Sequence, residues 1–173
     1  MGLILPIAAM SIIVAVSNYW VQFPINDWLT WGALTFPIAF LITDLTNRAY
    51  GPAMTRRVVY VGFAIAVALS YMLVDARIAL ASGTAFLVSQ LCDIFIFDRL
   101  RKRPWWQAPL GSSAIGSTID TALFFSLAFA GTSVPWQTLA LGDLVVKFAV
   151  AACMLVPFRL LLSRIRPLPA TVD

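Results

Sequence analysis

Apolar residues run through this chain in stretches too long for the core of a soluble domain, and short polar clusters separate them. A helix needs about 20 mostly apolar residues to cross a bilayer. Six stretches meet that need: Leu3–Val21, Leu29–Thr46, Val58–Val74, Ile78–Phe97, Ser113–Ala130 and Thr138–Leu162. They predict an all-α membrane protein of six transmembrane helices, forming one domain over residues 1–173. The first stretch is long for a signal peptide and lacks a basic leader, so it counts as a helix. Pro37 and Pro157 fall inside or near the end of their segments and predict kinks. Gly51-Pro52 predicts the end of the second segment.

The polar clusters between the stretches alternate in charge. Arg48, Arg56 and Arg57 follow the second, and Arg99, Arg101, Lys102 and Arg103 follow the fourth. Arg159, Arg164 and Arg166 gather around the end of the sixth. Ten of the twelve basic residues thus fall on one side, and the opposite loops hold only Arg77. Basic loops stay cytoplasmic, so both termini are expected there. Tyr19, Trp20, Trp28, Trp31 and Trp136 suit an outer aromatic belt, and Trp105 and Trp106 an inner one.

Composition agrees with a chain solvated by lipid. It is 61% apolar and 12% charged, with mean hydropathy +0.88, about half the charged fraction of a soluble domain. The net charge of +4 does not point to nucleic acid, because the basic residues sit at helix ends. The basic, aromatic run Asp98–Trp106 suits anionic lipid better. The chain has no His, which removes most zinc and haem sites and the usual nucleophile pairs. No cofactor and no catalytic residue is expected, and an enzyme is disfavoured. Cys92 and Cys153 read as buried structural thiols.

Five ionisable residues lie inside the apolar stretches: Asp44, Asp93, Asp120, Asp143 and Lys147. Each costs roughly 2.5–3.5 kcal/mol to insert, so the default reading is a path for substrate or ions. They fall on the second, fourth, fifth and sixth segments, which are expected to line a site while the first and third face lipid or a partner. Asp44 with Arg48, and Asp143 with Lys147, are four apart and share helical faces. Either pair could serve only to neutralise charge. Gln90 and Asp93 are three apart, and Phe97 lies four beyond. Ser113, Gly116, Ser117 and Asp120 form one small polar stripe. Asp93 and Asp120 have no counter-charge within a turn of their own segments. The stripes Gly62–Ala66–Ser70 and Ser11–Ala15 offer a close-packing face for a second copy or another subunit.

Several runs resemble the YhhQ-type queuosine precursor transporters of the vitamin uptake transporter family. They are Thr43–Gly51 followed by Arg56-Arg57, Gln90–Arg101, Trp105–Pro109, Gly116–Thr121 and Asp143–Lys147. They occur in order between Phe36 and Pro157. Many members carry an acidic residue where Arg48 stands. The resemblance implies a multi-pass inner-membrane carrier of 7-cyano-7-deazaguanine and 7-aminomethyl-7-deazaguanine, feeding queuosine synthesis in tRNA. It also implies kinship with the substrate-binding components of energy-coupling-factor transporters, so a binding subunit of a larger transporter is the alternative.

The residue chemistry suits such a base. A guanine-like edge offers adjacent N–H donors that one carboxylate accepts together, and its carbonyl needs a donor. Asp93 and Asp120 are the expected acceptors, with Gln90, Asn47, Asp44 and Phe97 assisting in substrate binding. Asp143, Lys147 and Arg48 are expected to gate or couple. Phe40, Phe86, Phe97 and Phe124 are candidates to hold the flat face.

Overall fold

The structure is a computed structural model, and it describes residues 2–73 and 75–164. Helix α1 spans Ile4–Trp20 and leads into a small antiparallel hairpin of β1 (Pro24–Asn26) and β2 (Leu29–Thr30). A short helix α2 (Trp31–Thr35) precedes α3 (Pro37–Leu73), and α4 (Ala76–Leu100), α5 (Gln107–Phe129) and α6 (Trp136–Leu162) follow. Three of these, α4, α5 and α6, are long and apolar enough to cross a membrane, and α1 is a shorter apolar helix.

The sequence explains where the helices break. Pro37 opens α3 one residue after α2 ends, as suits a residue with no N–H to donate at the first helical position. Gly51 takes a left-handed φ of 79° in the middle of α3, so α3 is two arms rather than one rod. Pro52 starts the second arm at once, and Thr55 Oγ1 donates to the Gly51 carbonyl at 2.8 Å. The expectation that Gly51-Pro52 ends a helix holds for the first arm. The expected start of the next helix at Val58 is too late, and Arg56 and Arg57 lie on the helix rather than in a loop. The start of α5 at Gln107 is likewise earlier than Ser113.

Helix α4 is capped by Asp75, whose side chain accepts from the Arg77 amide at 2.8 Å. Arg77, the one basic residue expected on its side of the membrane, bonds the carbonyls of Leu127 and Ala130 at 3.0 and 2.6 Å. It thereby satisfies the orphaned C-terminal carbonyls of α5.

α4 packs along α5, α1 along α3, and α5 along α6. Small residues set the close approaches. A Cβ on Gly62 would stand 2.7 Å from Met10 Cγ, and one on Gly83 would stand 3.2 Å from Phe63. One core cluster joins Met10, Val14, Phe36, Phe40, Val58 and Phe86 across α1, α3 and α4. A second joins Ala81 and Ala85 to Phe124 and Phe125, and a third groups Phe97, Ala108 and Phe158. The outward face of α6 is apolar and exposed, with Leu141, Val145, Val156 and Leu160 uncovered. Cys153 lies on this exposed face and Cys92 is half-buried, so neither is the fully buried thiol expected. Residue 74, the side chains of Ala66 and Ser70, and Arg166 lie outside the described residues.

Candidate functional site

The polar residues of the apolar helices meet inside the bundle as a file. On α4, Ser82, Ser89, Gln90, Asp93 and Phe97 are all buried, and their three- and four-residue spacing puts them on one face. From Ser82 to Asp93 this face runs about 17 Å at the helical rise. On α5, Ser112, Ser113, Gly116, Ser117, Asp120 and Thr121 form the facing stripe, all buried. The first arm of α3 adds Thr43, Asp44 and Asn47, and α6 adds Asp143 and Lys147.

One end of the file is an ion triad. Lys147 Nζ lies 2.8 Å from Asp120 Oδ2, 2.6 Å from Asp143 Oδ2 and 3.2 Å from Thr121 Oγ1. The Thr121 hydroxyl donates to Asp143 Oδ2 at 2.7 Å, and the Ser89 hydroxyl to Asp120 Oδ1 at 3.4 Å. The pair expected from the spacing of Asp143 and Lys147 is present. Asp120 joins it from the neighbouring helix, so the carboxylate with no partner on its own segment finds one on α6. The triad opens on a small cleft of about 30 Å³, room for a water-sized occupant. Ser17, Asn18, Gly32, Phe36, Ser82 and Phe124 complete its wall.

That wall corrects the expectation that the first segment faces lipid or a partner rather than the site. Ser17 on α1 donates to Thr35 Oγ1 at 2.9 Å, and Ser82 on α4 donates to Asn18 Oδ1. The hairpin lies against the start of α6, beside Leu141 and Gly142. A Cβ on Gly142 would stand 1.9 Å from the Trp28 carbonyl oxygen, so only glycine lets the hairpin lie against α6, one residue before Asp143.

The middle of the file is different in kind. Among the described residues six buried side-chain atoms lack a hydrogen-bond partner, and four belong here: Gln90 Nε2, both oxygens of Asp93, and Ser117 Oγ. Gln90 Oε1 is taken by the Thr43 hydroxyl, which leaves its amide nitrogen as a spare donor. Asp93 faces Asp44 and Ser112, and two facing carboxyl groups can share one proton between them. The single proton of Ser112 goes to Asp44 Oδ1 at 3.2 Å, and Ser113 donates to Asp44 Oδ2 at 3.4 Å. Gly116 keeps this centre tight, since a Cβ there would meet the Phe40 ring at 2.7 Å and Asp93 Cβ at 3.5 Å. A buried orphaned polar atom costs about 1–3 kcal/mol, so four in one place call for a partner such as water or a ligand.

The far end is structural. Asn47 Nδ2 donates to the Ile94 carbonyl at 3.2 Å, and Arg101 Nη2 donates to Asn47 Oδ1 at 2.6 Å and to its carbonyl at 2.9 Å. Asn47 thus ties α3 to α4. Phe97 packs on Phe158 with ring centres 6.3 Å apart. The expected stacking of Arg48 on Asp44 yields no ion pair among the described residues. Asp44 turns to the α5 serines, and Arg48 lines a small pocket with Phe97, Arg103 and Trp105. Of the aromatic candidates, Phe40 borders the centre and Phe124 the cleft, while Phe86 is stacked on Phe63 in the core.

Sequence reasoning passed over Ser112, Ser89 and the part of α1 that carries Ser17 and Asn18. The signal for the two serines was present: Ser89 precedes Gln90, and Ser112 precedes the polar stripe on α5.

Residues 30–76 and 73–162 match a family described as "Putative vitamin uptake transporter". The chain belongs to that family. Over 84% of its length it is 36% identical to a probable queuosine precursor transporter of Haemophilus influenzae, covering 79% of that protein. It is 33% identical, with the same coverages, to a queuosine precursor transporter of Escherichia coli K12. A probable queuosine precursor transporter of Bacillus subtilis is 27% identical over 70% of this chain and 66% of its own. No solved structure matches. Both matched segments take in the polar file, from Thr43 in the first to Lys147 in the second. Family membership and the apolar helices make this a multi-pass protein of the bacterial inner membrane.

Proposed function

We propose that the chain carries queuosine precursors, 7-cyano-7-deazaguanine and 7-aminomethyl-7-deazaguanine, across the inner membrane along its buried polar file. The observation that carries the reading is the unpartnered set at Gln90, Asp93 and Ser117. It pairs one spare amide donor with one spare carboxylate, and a guanine-like edge presents the complement: a carbonyl beside two N–H groups. A fused bicyclic base also needs an apolar slot. Phe40 borders this centre, and Phe36 and Phe124 line the cleft above it. Asp93 with Gln90 takes the base edge, with Asp44 behind it. Asp120, one helical turn along α5 from Gly116, meets the other end of the base in the cleft.

The six crossings are α1, the two arms of α3, α4, α5 and α6, with both termini cytoplasmic. The Arg-rich ends of α4 and α6 then face inward, and the cleft beside the hairpin faces out. An outward cleft joined to a mid-membrane centre is what uptake requires. Kinship with energy-coupling-factor binding components and homo-oligomerisation are further elements of the proposal, but the Gly62 face is not the seam between copies, because it packs on Met10 of α1. The acidic lining of the file disfavours nucleic acid as a partner.

Uptake of labelled 7-cyano-7-deazaguanine into cells lacking their own carrier tests this. Asp93→Asn and Asp120→Asn are each expected to reduce uptake by at least tenfold at matched membrane levels. Wild-type uptake in both would refute the assignment. Purified chain alone in liposomes separates a carrier from a binding subunit: tight binding without transport points to the subunit.

A further inference from the structure

The triad in the cleft holds two carboxylates against one ammonium, and all three groups are no more than 4% exposed. The donors of Lys147 are fully engaged: its three N–H bonds face Asp120, Asp143 and Thr121, and an ammonium has only three. An anion entering the cleft therefore meets two carboxylates and no spare donor on Lys147. A cation meets a different surface. Both contacts of Asp143 fall on Oδ2, which leaves Oδ1 for a ligand. Asp120 Oδ1 is held only by the Ser89 hydroxyl at 3.4 Å. Phe36 already lies 5.1 Å from one ammonium, and Phe124 is a second ring in the wall; ring faces attract cations. Lys147 is the sole basic side chain in that wall, and the nearest charges farther along the file, Asp44 and Asp93, are acidic. The cleft thus carries a formal excess of one negative charge.

We infer that the Asp120–Lys147–Asp143 triad selects for positive charge, holding a flat base that bears a primary ammonium more tightly than an uncharged base of the same shape. This rests on the reading of the chain as a carrier of 7-deazaguanine bases, and it makes Asp143 a specificity-determining residue.

Binding to the purified full-length chain in lipid nanodiscs tests it with two probes of near-equal shape. These are 7-aminomethyl-7-deazaguanine, a cation at neutral pH, and 7-hydroxymethyl-7-deazaguanine, which is neutral. Wild type is expected to prefer the amine by at least tenfold. Asp143→Asn, which removes the excess charge, should bring the preference to within twofold. Thr121→Val, which disturbs the same hydrogen bonds but no charge, should keep at least a fivefold preference. Equal binding of the two probes by the wild type would overturn the inference without any variant. So would a loss of preference in Thr121→Val as large as that in Asp143→Asn. If neither probe binds, the carrier reading itself fails, a result distinct from equal binding of both.

Discussion

Replacing Gly142 with alanine puts a methyl group where the Trp28 carbonyl oxygen already stands. The new Cβ would lie 1.9 Å from that oxygen and 2.8 Å from its carbon, against an ordinary contact of about 3.5 Å. Backbone on one side or the other must therefore move by about 1.5 Å. No rotamer relieves the clash, because the obstructing atoms are main chain. Alanine gains about 1 kcal/mol of helix propensity over glycine, and overpacking costs typically 1–3 kcal/mol or more. Two atoms of rigid backbone place this site at the upper end, for a net loss of about 2 kcal/mol. For a chain of this length that is a fall of roughly 4–8 °C in melting temperature, scaled from soluble domains. Gly62→Ala supplies a milder case: its Cβ would meet Met10 Cγ at 2.7 Å and Cβ at 3.1 Å, the root of a buried side chain, so α1 must give slightly and the loss should be about 1 kcal/mol, smaller than at Gly142. Thermal unfolding of both variants in detergent, followed by tryptophan fluorescence, reads the difference. Gly142→Ala should also disturb the neighbouring Asp143 and lower uptake beyond its effect on stability. A Gly142→Ala protein as stable as wild type, with normal uptake, would refute the packing of the hairpin on α6.

Other substitutions separate structural from transporting roles. Lys147→Met leaves two buried carboxylates without their cation and should destabilise the bundle by about 3–5 kcal/mol, read as loss of monodisperse protein in detergent. Asn47→Ala removes the tie between α3 and α4 and strands Arg101, at a cost of about 1–3 kcal/mol. Its effect should appear in thermal stability before it appears in affinity for the base, because both ends of Asn47 are already bonded within the protein. Gln90→Leu should weaken base binding about tenfold by removing the spare donor, while it also removes an orphaned atom and leaves stability close to wild type; titration calorimetry and thermal unfolding measure the two.

Much of the site was legible in the sequence because lipid makes polar residues conspicuous. Five charges in apolar stretches, with neighbours at three and four residues, mark the inward faces of α4, α5 and α6 before any coordinates are known. What could not be read was contact between helices. Asp120 has no counter-charge on its own helix, and nothing local says that Lys147 reaches it from α6. Asn47 looks like a ligand group until Arg101 is found bonded to it. α1 carries no charge, so nothing local says that its Ser17 and Asn18 reach the cleft, where α2 packs beside them. The break in α3 was visible as Gly51-Pro52, but proline at a first helical position starts a helix as readily as it follows one. The continuity of the second arm through Arg56 was hidden by those two arginines.

Transport as proposed requires Asp93, with Gln90, to read the base's hydrogen-bonding edge. The most direct test is a binding cycle on purified protein: 7-cyano-7-deazaguanine and its analogue lacking the 2-amino group, each titrated into wild type and Asp93→Asn. A hydrogen bond to a charged acceptor contributes about 1.5–3 kcal/mol, so wild type should favour the amino compound by roughly 10–150-fold. Asp93→Asn should lose nearly all of that preference. If the variant keeps the full preference, the edge is read elsewhere and the assignment of Asp93 is wrong.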